Sequence, residues 1–418
     1  MVAPEMGQGG HGAMEAILIF TLTYVGVAIG HIPGLQLDRT GIALLGAIAM
    51  VVSGAVPLGD AVGSIDIPTM LLLYALMIIS AQLRLGGFYT RVALHMARWC
   101  SHPRLFLLAV MGVGAILSAL LANDIICLAF TPVLAYSLLG AGMNPIPFLL
   151  ALAVAANIGS AATIIGNPQN MLIGQVGQLP FGGFLQWCSP PVIVALLGSY
   201  LIIVWLYRGR WAEPPRDGHI LARQPAWQPF NAWQSAKGLA AVTLLIILFF
   251  TDFHRELAAL GIAGVLMCSR KMKSRQMIEL VDWHLLTLFC ALFVVIEGIS
   301  AAQLPQHVVA SLADHQIDIR HPLVLTGVST LLSNVVSNVP AVMLLVQFLQ
   351  GAPSQLWYIL ALSSTFAGNL ITIGSIANLI VIEQADVFGI AIGFWTHAKV
   401  GLAVTAWSLL VLAGWIYL

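Results

Sequence analysis

Four short asparagine-bearing stretches interrupt otherwise apolar sequence: Leu121-Ala122-Asn123-Asp124, Gly166-Asn167-Pro168-Gln169-Asn170, Val336-Ser337-Asn338-Val339-Pro340 and Gly374-Ser375-Ile376-Ala377-Asn378. An asparagine side chain offers donors and an acceptor without the cost of a buried charge. Lipid satisfies no backbone N–H or C=O, so unwound polar backbone survives at membrane depth only where it lines a cavity or a ligand site. Asn123 and Asn338 are therefore expected at the tips of two hairpins, where half-helix N-termini turn the positive ends of their dipoles toward a shared cavity. Such a cavity suits an anionic or oxygen-rich polar ligand. With Ser337, Gly166, Asn167, Asn170, Gly374, Ser375 and Asn378, these residues form the candidate binding set. An asparagine at an ordinary helix start would read similarly; four breaks in two-fold register favour the ligand site.

A second polar set, Asn157, Ser160, Thr163, Asn167 and Asn170, is mirrored by Thr365, Asn369, Thr372, Ser375 and Asn378. Asn157, Thr163, Asn369 and Thr372 are candidates for holding a coupling ion, although small polar residues also serve as helix–helix glue. Asp124 is the outstanding charge, because intramembrane carboxylates mark proton or ion pathways. The plainer role for it is to cap the half-helix that follows. Glu297, Glu383 and Arg84 read as interfacial. Cys127, one turn beyond Asn123, reads as packing rather than as a reactive thiol. Arg91, His95 and Arg98 share a face opposite Val92 and Trp99, which predicts an interfacial amphipathic helix. His11, His31, His219 and His254 read as surface residues.

Hydrophobic residues make up 59% of the 418-residue chain and charged residues 8%. Soluble domains carry roughly a quarter charged residues. Runs long enough to span a bilayer recur, and period-two alternation is absent, which argues for an all-α polytopic membrane protein over a β-barrel. A net charge of zero gives no electrostatic case for nucleic acid. The five cysteines show no C-x-x-C spacing, so neither a metal site nor a disulfide framework is expected. No cofactor is expected either. No G-x-x-x-x-G-K-[ST] motif occurs, so any ATP dependence requires a separate subunit. No nucleophile–base set points to an enzyme. Met1–Glu15 carries two Glu and no Lys or Arg, so the first apolar segment is read as retained.

Basic clusters set the topology. Arg84, Arg91, Arg98 and Arg104, then Arg208, Arg210, Arg216 and Arg223, then Arg270, Lys271, Lys273 and Arg275 are all assigned to the cytoplasm. The N-terminus then lies outside, with about ten crossings. Stretches 105–140 and 321–350 return the chain to the side it left, either as two full crossings or as re-entrant hairpins, the reading adopted here. Residues 208–235, with Pro214, Pro215, Pro225 and Pro229, read as a cytoplasmic linker between repeats 14–207 and 236–418. Ser118 and Asn123 match Ser333 and Asn338 at an offset of 215, Gly166 and Asn170 match Gly374 and Asn378 at 208, and Asp66 matches Asp282 at 216. Asp66 falls outside and Asp282 inside, so the two halves are expected to form an inverted-topology repeat, the usual architecture of secondary transporters.

Ser118–Pro132 (SALLANDIICLAFTP), with Ser333–Pro340 (SNVVSNVP), resembles the paired hairpin tips of the ion transporter superfamily. Ala122, Asn123, Asp124, Thr131 and Pro132, with Gly374–Ala377, are most similar to its arsenite-permease branch. The resemblance implies a scaffold, a moving unit that carries substrate across, and a homodimer. It also implies one site built from both tips and both helix breaks. Dicarboxylate symporters carry Ser-Asn-Thr at each tip, whereas the tips here read Ala122-Asn123-Asp124 and Ser337-Asn338-Val339. The Gly166–Asn170 stretch departs from the arsenite-permease pattern. The expected function is an inner-membrane permease for a small oxyanion, foremost arsenite or antimonite efflux coupled to protons through Asp124. Sodium- or proton-coupled uptake of dicarboxylate, citrate or sulfate is the second reading, and sodium–proton antiport the third.

Overall fold

The computed structural model describes residues 8–30, 34–99, 101–212, 228–315 and 317–418. His31, His219, Cys100, Arg216, Arg223, Pro214, Pro215 and Pro225 lie outside the described residues, as does the side chain of His11. Helices account for nearly all of the described secondary structure. They fall into two series of ten. The first comprises α1 (Gln8–Ile29), α2 (Arg39–Val52), α3 (Leu58–Gly63), α4 (Ile67–Leu85), α5 (Phe88–Ala97), α6 (Pro103–Leu121), α7 (Asn123–Gly140), α8 (Ile146–Ser160), α9 (Pro168–Val176) and α10 (Phe181–Leu206). The second comprises α11 (Ala232–Phe249), α12 (Arg255–Met267), α13 (Ser274–Ile278), α14 (Trp283–Ala301), α15 (Leu304–Asp314), α16 (Pro322–Val336), α17 (Asn338–Leu345), α18 (Ser354–Ala367), α19 (Ile376–Asp386) and α20 (Phe394–Ile416).

Local chemistry is repeated along with the order of elements. Asp66 caps α4 by accepting from the Thr69 N–H at 2.8 Å, and Asp282 caps α14 by accepting from the Leu285 N–H at 2.9 Å. α1 and α2 pack on α14, while α11 and α12 pack on α4, so each half completes the other's bundle.

Among the described residues, seven helices are long and apolar enough to cross a membrane: α4, α6, α7, α10, α11, α14 and α20. The broken helices lie deepest. Every residue from Pro147 to Ser160 in α8, and from Leu356 to Ala367 in α18, is buried. A helix that is apolar all round requires that environment. With 15 residues, α8 is about 22 Å long and falls short of a hydrocarbon core of about 30 Å, so it crosses only together with α9. α16 is equally short, and α17 has 8 residues before the 3-10 turn Val346–Leu349, so neither arm alone reaches across a hydrocarbon core of about 30 Å. α6 and α7 are longer. Their tip meets the break between α8 and α9, because the Asn123 N–H donates to the Gly166 carbonyl at 3.1 Å.

Three details depart from expectation. The apolar run after the prolines predicts a helix near 190–207, whereas α10 begins at Phe181 and runs through Pro190 and Pro191. Neighbouring membrane helices and local adjustment tolerate such interior prolines. α5 is the anticipated short helix, but its buried face is Tyr89, Ala93 and Met96, while Trp99 lies beyond its end and is exposed. Its counterpart α15 was not anticipated.

Candidate functional site

Each hairpin reverses at one residue with left-handed φ: Ala122 at 61° and Ser337 at 76°. Backbone there is strained for any residue with a Cβ, by about 1–3 kcal/mol, and such strain clusters at functional sites. The reversal is immediate, so Asn123 and Asn338 become the first residues of α7 and α17. Neither helix has a side-chain cap. Apart from the Asn123 N–H, which the Gly166 carbonyl accepts, their first-turn N–H groups have no side-chain cap, and both helix starts border one cavity.

The breaks are tied by their own asparagines. Asn167 caps α9 by accepting from the Asn170 N–H at 2.8 Å. The Asn170 Nδ2 donates to the carbonyls of Ser160 and Thr163 at 3.4 and 3.0 Å. Equivalently, the Asn378 Nδ2 donates to the carbonyls of Gly368 and Ile371 at 2.8 and 3.2 Å. Two unwound carbonyls of each break are thus held by one amide, that of the third residue of the following half-helix. A Cβ on Gly166 would lie 2.1 Å from the Ser160 carbonyl oxygen, so only glycine fits there.

Cross-links between halves are reciprocal. The Asn167 Nδ2 donates to Ser160 Oγ at 2.9 Å and Thr365 Oγ1 at 3.4 Å. The Ser375 Oγ donates to Asn157 Oδ1 at 2.8 Å. Asn157 is the hub: its Nδ2 donates to Oδ1 of Asn369 at 3.0 Å and of Asn378 at 3.1 Å, and its Oδ1 accepts from Asn123 Nδ2 at 3.3 Å. The side-chain amide of Asn338, oriented to satisfy its neighbours, donates to the carbonyls of Gly374 and Ser364 at 3.0 Å each. The Thr163 hydroxyl donates to the Ala119 carbonyl in α6 and fastens the first hairpin to the first break.

Asn123, Asp124, Pro168, Gln169, Ser337, Asn338, Val339, Ser375 and Ile376 line one cavity of about 20 Å³. That volume holds about one water-sized particle. Lysine and arginine do not line it, and Asp124 is its one charged wall residue. Oδ1 of Asn123, Oδ1 of Asp124 and Oδ1 of Asn170 are buried without a hydrogen-bond partner among the described residues, as is Nδ2 of Asn369. Of these, Asn123 and Asp124 line the cavity, so two unpaired acceptor oxygens border the space a ligand, ion or water could fill.

The structure brings together Asn123, Asp124, Ser337, Asn338 and Ser375 as cavity wall, and Gly166, Asn167, Asn170, Gly374, Asn378, Asn157, Thr163 and Asn369 as the layer behind it. Thr372 stands apart: half-buried at the start of the 3-10 turn Thr372–Gly374, it takes no part in the hydrogen-bond cluster. Cys127 is fully buried and outside the cavity wall. Three contributors went unread in the sequence: Ser364, Gly368, and Asn334, whose Nδ2 donates to the carbonyls of Thr330 and Ala367 at 2.9 and 3.1 Å. The repeat offsets contain the signal, since Gly368 corresponds to Ser160 and Asn334 to Ala119.

Comparison with known proteins agrees with this architecture. The chain is 31% identical over 424 residues to the 46 kDa membrane protein of Mycobacterium leprae, covering 96% of this chain and 97% of that one. It is 28% identical over 445 residues to the silicon efflux transporter LSI3 of Oryza sativa subsp. japonica, covering 90% and 91%. The crystal structure of the YdaH transporter of Alcanivorax borkumensis superposes with a TM-score of 0.58 at 15% identity, covering 97% of this chain and 96% of that one, a likeness of fold. The family model described as citrate transporter matches residues 17–367. The chain therefore belongs to the citrate transporter family within the ion transporter superfamily, and is a multi-pass secondary transporter rather than an enzyme.

Proposed function

We propose that the protein is an inner-membrane permease for a small, uncharged or weakly acidic polyhydroxy species, foremost arsenite or antimonite, exported in exchange for protons. The observation that carries this reading is the cavity wall: amides, hydroxyls, free helix N-termini and one carboxylate, with no fixed cation. Hydroxyl groups on a compact central atom match amide donors and acceptors on all sides. A di- or tricarboxylate would bring charge that no side chain in this wall neutralises, and desolvating it there would be costly. The name of the rice relative, silicon efflux transporter, is consistent with a small hydroxylated substrate.

The halves would work as an inverted repeat, with boundaries at 14–207 and 236–418 about the linker 208–235. Packing supports this. α7 and α19 both start at the site and pack on each other, so they leave it toward the same face. α17 and α9 do likewise toward the other face. α8–α9 and α18–α19 then cross in opposite senses, and the hairpins enter from opposite sides. The hairpins, broken helices, α10 and α20 would move as a unit against α1–α4 and α11–α14, alternately exposing the cavity. Asp124, in the first turn of α7, would carry the proton, and Asn157, Thr163 and Asn369 would hold the local geometry. A homodimer is the expected assembly.

The family description favours a second reading, proton- or sodium-coupled citrate or dicarboxylate uptake. Proteoliposomes containing the purified protein discriminate the two. Gradient-driven movement of arsenite without movement of citrate supports the first, and the reverse supports the second.

A further inference from the structure

Two arginines open equivalent helices in the two halves. Arg39 is the first residue of α2 and Arg255 the first of α12. They are separated by 216 positions, as are Asp66 and Asp282. The turns that follow the broken helices also match. After Gln178, at φ 48°, the Leu179 N–H donates to the Gly174 carbonyl at 3.0 Å; after Gly389, at φ 67°, the Ile390 N–H donates to the Ala385 carbonyl at 3.1 Å. Leu179 and Ile390 are both buried. Leu179 thus corresponds to Ile390, and Gln175 to Asp386.

Only one of these two junctions is closed. The Arg255 Nη2 donates to the Leu179 carbonyl at 2.7 Å, and the Gln175 Nε2 donates to Glu256 Oε2 at 3.2 Å. Together they fasten the start of α12 to the end of α9 and its turn. A cavity of about 660 Å³, bordered by Gln175, Gln178, Arg255 and Glu256, opens beside the junction. At the opposite face Arg39 has no hydrogen bond or ion pair among the described residues, and its guanidinium lies beside Gly30. Asp386 is exposed and has no ion pair among the described residues.

We infer that Arg255 and Arg39 are alternating latches, positioning residues that hold the moving unit at one face or the other. This rests on the alternating-access reading above. In the state described here Arg255 is closed. When the moving unit shifts toward the other face, that junction opens. Arg39 then donates to the Ile390 carbonyl with Asp386 alongside, and Thr40 takes the place of Glu256. Asp386 stands where Gln175 does in the closed latch, so the second latch adds a guanidinium–carboxylate contact that the first lacks.

Cross-linking in native membranes tests this without knowledge of the substrate. In a cysteine-free background, the pair Gln175→Cys/Glu256→Cys reports the closed outer latch and Thr40→Cys/Asp386→Cys the opposite one. Both pairs should cross-link with a short thiol reagent. Locking the first should stop transport reversibly and abolish the second when all four cysteines are present. Arg255→Ala should raise the initial rate of 40/386 cross-linking about tenfold, the scale of one lost charge-assisted hydrogen bond, and Arg39→Ala should do the same for 175/256. Arg255→Lys should fall between. If 40/386 forms equally well while 175/256 is locked, or never forms in protein that transports, the latch is wrong. If cross-linking alternates as described while variants of the hairpin tips transport normally, the site assignment fails and the latch stands.

Discussion

Asn157 donates from Nδ2 to Oδ1 of Asn369 at 3.0 Å, joining side chains 212 positions apart at the centre of the molecule. Asn157 sits in the last turn of α8 and Asn369 in the turn just past the end of α18, and the contact joins the two breaks. Asn157→Ala removes a donor to Asn369 and Asn378 and an acceptor for Ser375 and Asn123. Leaving buried partners unsatisfied costs about 1–3 kcal/mol each. Asn157→Ala should lower the melting temperature in detergent by several degrees and abolish transport.

The hairpin tips predict a different phenotype. Asn123 and Asn338 lie on the cavity wall, and Asn123 Oδ1 has no partner to lose among the described residues. Asn123→Ala gives up one hydrogen bond to Asn157, and Asn338→Ala two to backbone carbonyls, so both should insert normally with a lowered melting temperature, yet lose at least about tenfold in transport rate, the scale of one differential hydrogen bond. Full-rate transport by both variants would remove them from the binding site.

Asp124 predicts a pH signature. A coupling carboxylate must ionise and protonate once per cycle, so wild-type transport should depend on pH on both sides of the membrane. Asp124→Asn fixes the side chain in a protonated-like form. Its residual substrate exchange should be independent of pH, and accumulation against a gradient should vanish. An unchanged pH profile would assign coupling to another group.

Ser337 at φ 76° separates backbone strain from side-chain chemistry. Ser337→Gly relieves the strain and should stabilise the fold by up to about 1–2 kcal/mol. Ser337→Val places a β-branched residue at positive φ and should destabilise by a similar amount. Thermal unfolding of the two variants checks the order.

Much of this was legible in the sequence because the repeat places equivalent chemistry at fixed offsets. Asn170 and Asn378, 208 positions apart, make the same two carbonyl contacts in their own halves. The helix breaks were legible because glycine and asparagine are the residues that tolerate unwound backbone at depth. What was hidden is what sequence patterns do not encode. Hairpin and double crossing leave the same loop charges, so the depth of the tips emerges only from the Asn123 contact with Gly166. Thr372 is equivalent in type to its polar neighbours, yet it takes no part in the hydrogen-bond cluster. Asn334 acts through backbone carbonyls of a helix 33 positions away, a contact that local pattern does not show. α15 lacks the basic residues that made α5 visible.

The most direct test of the central claim is arsenite accumulation in everted membrane vesicles, measured with and without an imposed proton gradient and compared with Asp124→Asn. The account predicts uptake that requires the gradient, saturates with substrate and disappears in the variant. Absence of uptake in vesicles proven to contain folded protein, with citrate accumulated instead, would contradict it.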